Sequence, residues 1–228
     1  MPKIKMLKGY NRFDLIKLLS KEKNIGIELG VAGGDYSAKL VESKKFSLVW
    51  GVDMYADTHN TKQYKDALLK VGLNENYKLL RMTFNDALDL FPDSYFDFIY
   101  FDGYAADGFE GGKTLRKWAK KVKLGGVIAG DDYHEDFGLL QRIIDEFVDQ
   151  NSLELFVTEG AFDFSAYSHY PSWAVVKNKE FFGQTSFELQ KEGASATRKT
   201  KRNKLFAEFT DLILRKFVSV KIYNLLRE

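Results

Sequence analysis

The sequence predicts an α/β three-layer sandwich: a mostly parallel seven-stranded sheet with an antiparallel last strand, followed by a C-terminal helical extension. Three observations predict it. Short β-branched or apolar runs alternate with helix-like stretches, the pattern of parallel strands covered by helices. Acidic and glycine-bearing segments follow the ends of several runs, where open α/β sheets bind their ligands. The last two runs are joined by a loop too short for a crossover helix, so they pair antiparallel.

Residues 11–20 (NRFDLIKLLS) read as an opening helix with Phe13, Ile16 and Leu19 on one face. Residues 25–29 are the first strand, and 36–42 the helix after it. Residues 47–52 (SLVWGV) form a second strand and 62–71 a helix; 77–81 is a third strand and 85–90 a short helix. The run 96–101 (FDFIYF) is the fourth strand, and the helix 111–122 ends before Gly125 and Gly126. Residues 127–129 are the core of the fifth strand, 137–150 a helix, and 153–158 and 172–176 the final pair. The domain therefore spans 1–178. Residues 179–204 are polar, basic and poor in large apolar side chains, as a linker is, and 205–228 read as an amphipathic helix.

A chain of 228 residues is long enough for one such domain and an appendage. It has no cysteine, which excludes disulfides, thiolate metal sites and cysteine nucleophiles. The basic N-terminus leads into no signal-like apolar stretch, and no run approaches the ~18–20 apolar residues of a membrane span. A cytoplasmic location is the expectation. The net charge of +2 hides an asymmetry: residues 179–228 hold 11 Lys/Arg against 6 Asp/Glu, so the body is slightly acidic and the tail basic.

After the first strand come Glu28, Gly30 and Gly34, in which the glycines let backbone approach a ligand closely. The spacing is not GxGxxG, since Ala32 takes the second glycine's place. A carboxylate at Glu28 repels a pyrophosphate and favours a cofactor bearing an ammonium and a sulfonium. Asp53 ends the second strand, where a carboxylate accepts from ribose hydroxyls. The bland alternative is a pair of ordinary strand-end acids with turn glycines. On these residues, ELGVAGGDYS (28–37) resembles the E/D-x-G-x-x-x-G motif of class I S-adenosylmethionine-dependent methyltransferases, and VWGVDMY (49–55) resembles their ribose-binding strand end. The resemblance implies a Rossmann-like fold and S-adenosylmethionine as cofactor. Thr83 and Phe84 fall where that family lines the adenine, although Thr83 or Asn85 capping a short helix explains the segment equally well. The implied cofactor residues are Glu28, Gly30, Gly34, Asp53, Thr83, Phe84 and Asp102.

Asp102 follows the fourth strand, and Asp131 and Asp132 follow the fifth. Three neighbouring carboxylates repel one another unless a cation offsets them, and Mg²⁺ prefers such oxygen ligands. Capping of the next helix by Asp132 is the alternative. FDG (101–103) followed by LGGVIAGDDY (124–133) is similar to the macrocin-type, methyltransferase 24 O-methyltransferases. That resemblance implies that Asp102, Asp131 and Asp132 hold a divalent ion. The chain departs from the family in having neither His nor Lys close behind Asp102, so the candidate bases are Asp102, Asp107 and His134.

The loop 160–173 (GAFDFSAYSHYPSW) is aromatic with interspersed polar groups, suited to a sugar or an aromatic alcohol, or else to a lid or dimer contact. In the tail, Leu205, Phe209, Leu212, Ile213, Phe217, Val220 and Leu225 approximate one helical face behind the basic run 198–204. Packing on the domain or on a second subunit, an anionic membrane surface and a partner protein are its candidate contacts; nucleic acid is not expected. The expected function is Mg²⁺-dependent O-methylation of a small-molecule hydroxyl. The alternatives are a metal-independent methyltransferase of the same fold and a non-catalytic cofactor-binding module.

Overall fold

The computed structural model describes residues 2–56, 59–102, 108–160 and 169–217, with backbone alone at 204, 207–208 and 211–217. Asp107, most of the aromatic loop (161–168) and the last eleven residues lie outside the described residues. The strands are β1 (Lys3–Leu7), β2 (Asn24–Leu29), β3 (Phe46–Asp53), β4 (Tyr77–Arg81), β5 (Phe96–Phe101), β6 (Val122–Gly130), β7 (Glu154–Thr158) and β8 (Trp173–Val176). They form one sheet in the order β1-β7-β8-β6-β5-β2-β3-β4. All pairings are parallel except those of β8, which runs antiparallel to both β6 and β7.

The sheet thus has one strand more than the sequence predicts. β1 is an edge strand with Ile4 and Met6 about half exposed and Lys3 paired to Glu154. A strand with both faces open to water carries no alternation to read. The opening helix is also different in kind: Arg12–Leu18 is 3₁₀, started by a capping box in which Asn11 accepts from the Phe13 amide and Asp14 accepts from the Asn11 amide.

Helices α1 (Asp35–Glu42), α2 (Thr61–Ala67), α3 (Phe84–Leu88), α4 (Lys113–Ala119) and α5 (Gly138–Gln150) cover the sheet. Alternation along the strands splits the core in two. Ile27, Leu29, Ile99, Phe101 and Ile128 face Trp118, Ile144 and Phe147 on one side. Phe98, Tyr100, Val127 and Ala129 face Leu15, Tyr36 and Leu40 on the other. This is the three-layer arrangement expected of the sequence.

The stretch read as a linker is helical from Phe187 onward, within α6 (Phe187–Phe217). Its Ala, Glu, Gln, Lys and Arg residues are good helix formers even without a broad apolar face. The first turns of α6 dock on the domain. Leu189 is buried, Thr197 Oγ1 donates to the Phe109 carbonyl at 2.9 Å, and a Cβ at Gly193 would stand 2.9 Å from that same oxygen. Further along, Leu205, Phe206 and Phe209 are 60–68% exposed. Among the described residues no helix is long and apolar enough to cross a membrane.

Candidate active site

The chain reverses its direction of winding between β2 and β5, which are neighbours although two strands separate them in sequence. The crevice beyond the carboxyl ends of such a pair is where this architecture binds ligands. Gly30 follows β2 there, and Asp102 follows β5, with its amide donating to the Leu29 carbonyl at 2.8 Å. A cavity of about 120 Å³ opens at this point, lined on one side by Glu28 and Gly30–Gly33 and on the other by Arg12, Tyr36 and Asp102, with His59 at its rim.

The glycine loop is held by Asp53. Its Oδ2 accepts from the amides of Val31 (2.9 Å) and Ala32 (3.0 Å), and its Oδ1 from the amide of Tyr55 (2.9 Å). Tyr55 Oη returns to the Ala32 carbonyl at 2.9 Å. Ala32 sits at φ 46°, a left-handed conformation that a non-glycine residue holds only when its surroundings enforce it. His59 Nδ1 lies 2.6 Å from Asp53 Oδ2. Burial raises the Asp53 pKa, but the bonds from His59, Ala32 and Tyr55 outweigh it and hold the carboxyl below its usual range. His59, rather than Asp53, borders the cavity.

Glu28 is buried, and its Oε2 accepts a short hydrogen bond from Ser37 Oγ of α1. Ser37 in turn meets Tyr77 Oη at 2.9 Å. Burial pushes the Glu28 carboxyl well above the ordinary carboxylate range, and the Ser37 bond offsets only part of that rise. Burial thus favours the protonated form of Glu28 at the cavity wall, and a cation bound beside it would favour the charged one.

Arg12 is the residue that sequence reading missed. Its Nη1 donates to Asp131 Oδ2 and its Nη2 to Asp102 Oδ2, both at 2.7 Å. The guanidinium lies 4.8 Å from the Tyr36 ring centre and 5.1 Å from that of Tyr100, and these two rings stack at 4.0 Å. Asp131 is further bound through Oδ1 to Ser172 Oγ at 2.7 Å. Burial raises its carboxyl to about 6 against the pull of Arg12. The signal for Arg12 was indirect: strand-end carboxylates lacking a nearby cation need one from elsewhere, and Arg12 lies 90 residues before Asp102.

The other candidates are placed as follows. Gly34 does not line the cavity; it begins α1 at φ 84°, and a Cβ there would meet the Ala67 Cα at 3.1 Å. Its lack of a side chain serves helix packing, whereas Gly33 borders the cavity. Thr83 caps α3 by accepting from the Asp86 amide, and Phe84 is buried in the core, so neither lines the cavity. His134 starts the turn before α5, accepts from the Asp136 amide at 3.2 Å and packs against Tyr170. Asp132 holds φ 62° just past β6.

A magnesium ion needs Asp102, Asp131 and Asp132 to converge on it. Among the described residues no three His, Cys, Asp or Glu side chains are grouped to hold a metal, and two of these carboxylates already bind Arg12. The residues present do not fit the ion. They do fit an elongated cationic cofactor in part, through the glycine loop, Glu28 and Asp102. The cavity is open on one side and its volume is below the ~300 Å³ typical of small-molecule pockets, so it holds only part of such a cofactor.

Residues 27–133 match a family model described as a methyltransferase domain, of the methyltransferase 24 type. No curated protein matches the sequence. Solved structures share its fold at low identity. The chain is similar to the cofactor-bound Rv0187 from MTB (TM-score 0.57, 12% identity, 74% of this chain and 79% of that one). It is similar to an O-methyltransferase from Bacillus cereus in complex with SAH (TM-score 0.55, 17% identity, 72% and 79%). It is also similar to the SAH-bound methyltransferase PaMTH1 of Podospora anserina (TM-score 0.51, 13% identity, 68% and 72%). Over residues 27–133 the chain matches that methyltransferase domain, and it shares the fold of these S-adenosylmethionine-dependent methyltransferase structures.

Proposed function

We propose that the protein methylates a hydroxyl oxygen of a small molecule, a sugar or an aromatic alcohol. The observation that carries this reading is Asp102, which borders the cavity beside the glycine loop and keeps its side chain 31% exposed. The Bacillus cereus relative is described as an O-methyltransferase, which supports oxygen as the acceptor atom. The bound cofactor would supply an electrophilic methyl group on a sulfonium sulfur. The glycine loop and Glu28 would hold its amino-acid end, and Asp102 would take the hydroxyl proton. Orientation of the acceptor against that carboxylate would supply much of the rate. Calorimetry with S-adenosylhomocysteine tests the cofactor half, and absence of binding at high micromolar concentration would overturn it. Turnover on a panel of sugar and phenolic acceptors tests the other half. Cofactor binding with no turnover on any of them would favour the non-catalytic module.

For the C-terminal part of α6 we propose an anionic lipid surface as partner. Arg198, Lys199, Lys201 and Arg202 are exposed just ahead of exposed Leu205, Phe206 and Phe209, a basic and apolar combination complementary to such a surface. Sedimentation with phosphatidylserine vesicles should carry the protein down, reversibly with salt, and neutral vesicles should not. No binding to either, with concentration-dependent dimers instead, would assign the face to a second copy of the chain.

A further inference from the structure

Two carboxylates at the ends of adjacent strands, Asp131 nearly closed to water and Asp102 about a third exposed, need a counter-charge. Here the chain carries it. We propose that the Arg12 guanidinium stands permanently where a divalent ion would bridge Asp102 and Asp131, so that the acceptor end of this site is organised by an arginine and works without metal.

Four observations support this. The guanidinium gives a separate Nη to each carboxylate, both at 2.7 Å, so one cation links the two strand ends. Asp131 has its other oxygen on Ser172, whose own amide donates to Thr158 Oγ1, so the carboxylate is fixed from two sides. The guanidinium rests against the Tyr36 and Tyr100 rings, an environment that suits its flat, weakly hydrated cation. The backbone that carries it is tied down as well, since Tyr36 Oη donates to the Arg12 carbonyl and the Asn11 capping box starts the turn. An incoming Mg²⁺ would meet the positive charge of Arg12, whose side chain is 5% exposed, between the same two carboxylates.

The chemical consequence concerns the acceptor. A metal coordinates a hydroxyl and lowers its pKa, and it selects substrates that chelate through two adjacent oxygens. An arginine has no coordination positions to offer and does not select for two adjacent oxygens. It holds Asp102 in place as the group that receives the proton, and the substrate class becomes molecules presenting a single, non-chelating hydroxyl. This consequence rests on the methyl-transfer reading; the cation site does not, and it is tested without turnover.

The test is titration with Mn²⁺ alone, followed by electron paramagnetic resonance, on the full chain. The wild-type protein is expected to bind no Mn²⁺ at millimolar ion, with or without S-adenosylhomocysteine. Arg12→Met, folded by circular dichroism, is expected to bind it at least about tenfold more tightly than wild type and to lose that gain when Asp131→Asn is added. One tightly bound Mn²⁺ per wild-type chain, lost in Asp131→Asn, would overturn the proposal even if Arg12→Met failed to fold. A folded Arg12→Met protein that binds no Mn²⁺ would overturn it too.

Discussion

Arg12 Nη1 donates to Asp131 Oδ2 at 2.7 Å, joining the first turn of the chain to the end of a central strand, 119 residues later. Both side chains are nearly closed to water, at 5% and 7% exposure. Removing one member of such a pair leaves a buried, uncompensated charge, which costs about 3–5 kcal/mol. Arg12→Ala is therefore expected to lower unfolding stability by about that amount. Urea denaturation checks it, and a loss under about 1 kcal/mol would mean that water reaches the carboxylates once the arginine is gone.

Glu28 and Ser37 predict a pH effect. Burial raises the Glu28 carboxyl, so the folded chain holds its proton at pH values where the unfolded chain has released it. The stabilisation is complete below the unfolded value of about 4.3 and is lost as pH rises through the folded one. Glu28→Gln keeps an acceptor for Ser37 and cannot ionise. It should match wild type in acid and exceed it in stability at alkaline pH, as read from denaturation curves across that range.

Gly51 lies on β3 opposite Leu79 of β4, two residues along from the Val49–Tyr77 pair. A Cβ built there overlaps the Tyr77 hydroxyl and comes within 2.8 Å of Val31 Cγ2. Gly51→Ala should push Tyr77 off Ser37 and cost about 1–3 kcal/mol. A thermal melt unchanged from wild type would show that the tyrosine yields at no cost.

His59 occupies a lone pair of Asp53, the carboxylate expected from the sequence to accept from a ribose. If the ring must yield to the cofactor, His59→Ala removes one competing hydrogen bond. S-adenosylhomocysteine affinity should then rise by about two- to tenfold, the equivalent of 0.5–1.5 kcal/mol. Calorimetry decides it, and weaker binding would make His59 a cofactor contact instead.

The seven strands expected from the sequence are present, although β6 begins at Val122, where the expected helix 111–122 still ran. Apolar runs such as FDFIYF and the glycine loop after Glu28 are local signals, set by neighbours a few residues away, and the central parallel strands appear where those signals place them. Sequence reading missed β1, whose exposed faces leave no pattern, and made a linker of a polar stretch that is helical from Phe187. Thr83 could be read as cap or as adenine contact, and the structure makes it a cap. Tertiary structure alone decided what meets the acids. Arg12 reaches Asp102 and Asp131 from the other end of the domain, and His59 turns back onto Asp53. Burial under α1 raises the Glu28 carboxyl. A carboxylate's identity is local, but its charge and its partner depend on desolvation and on side chains brought near only by the closed sheet.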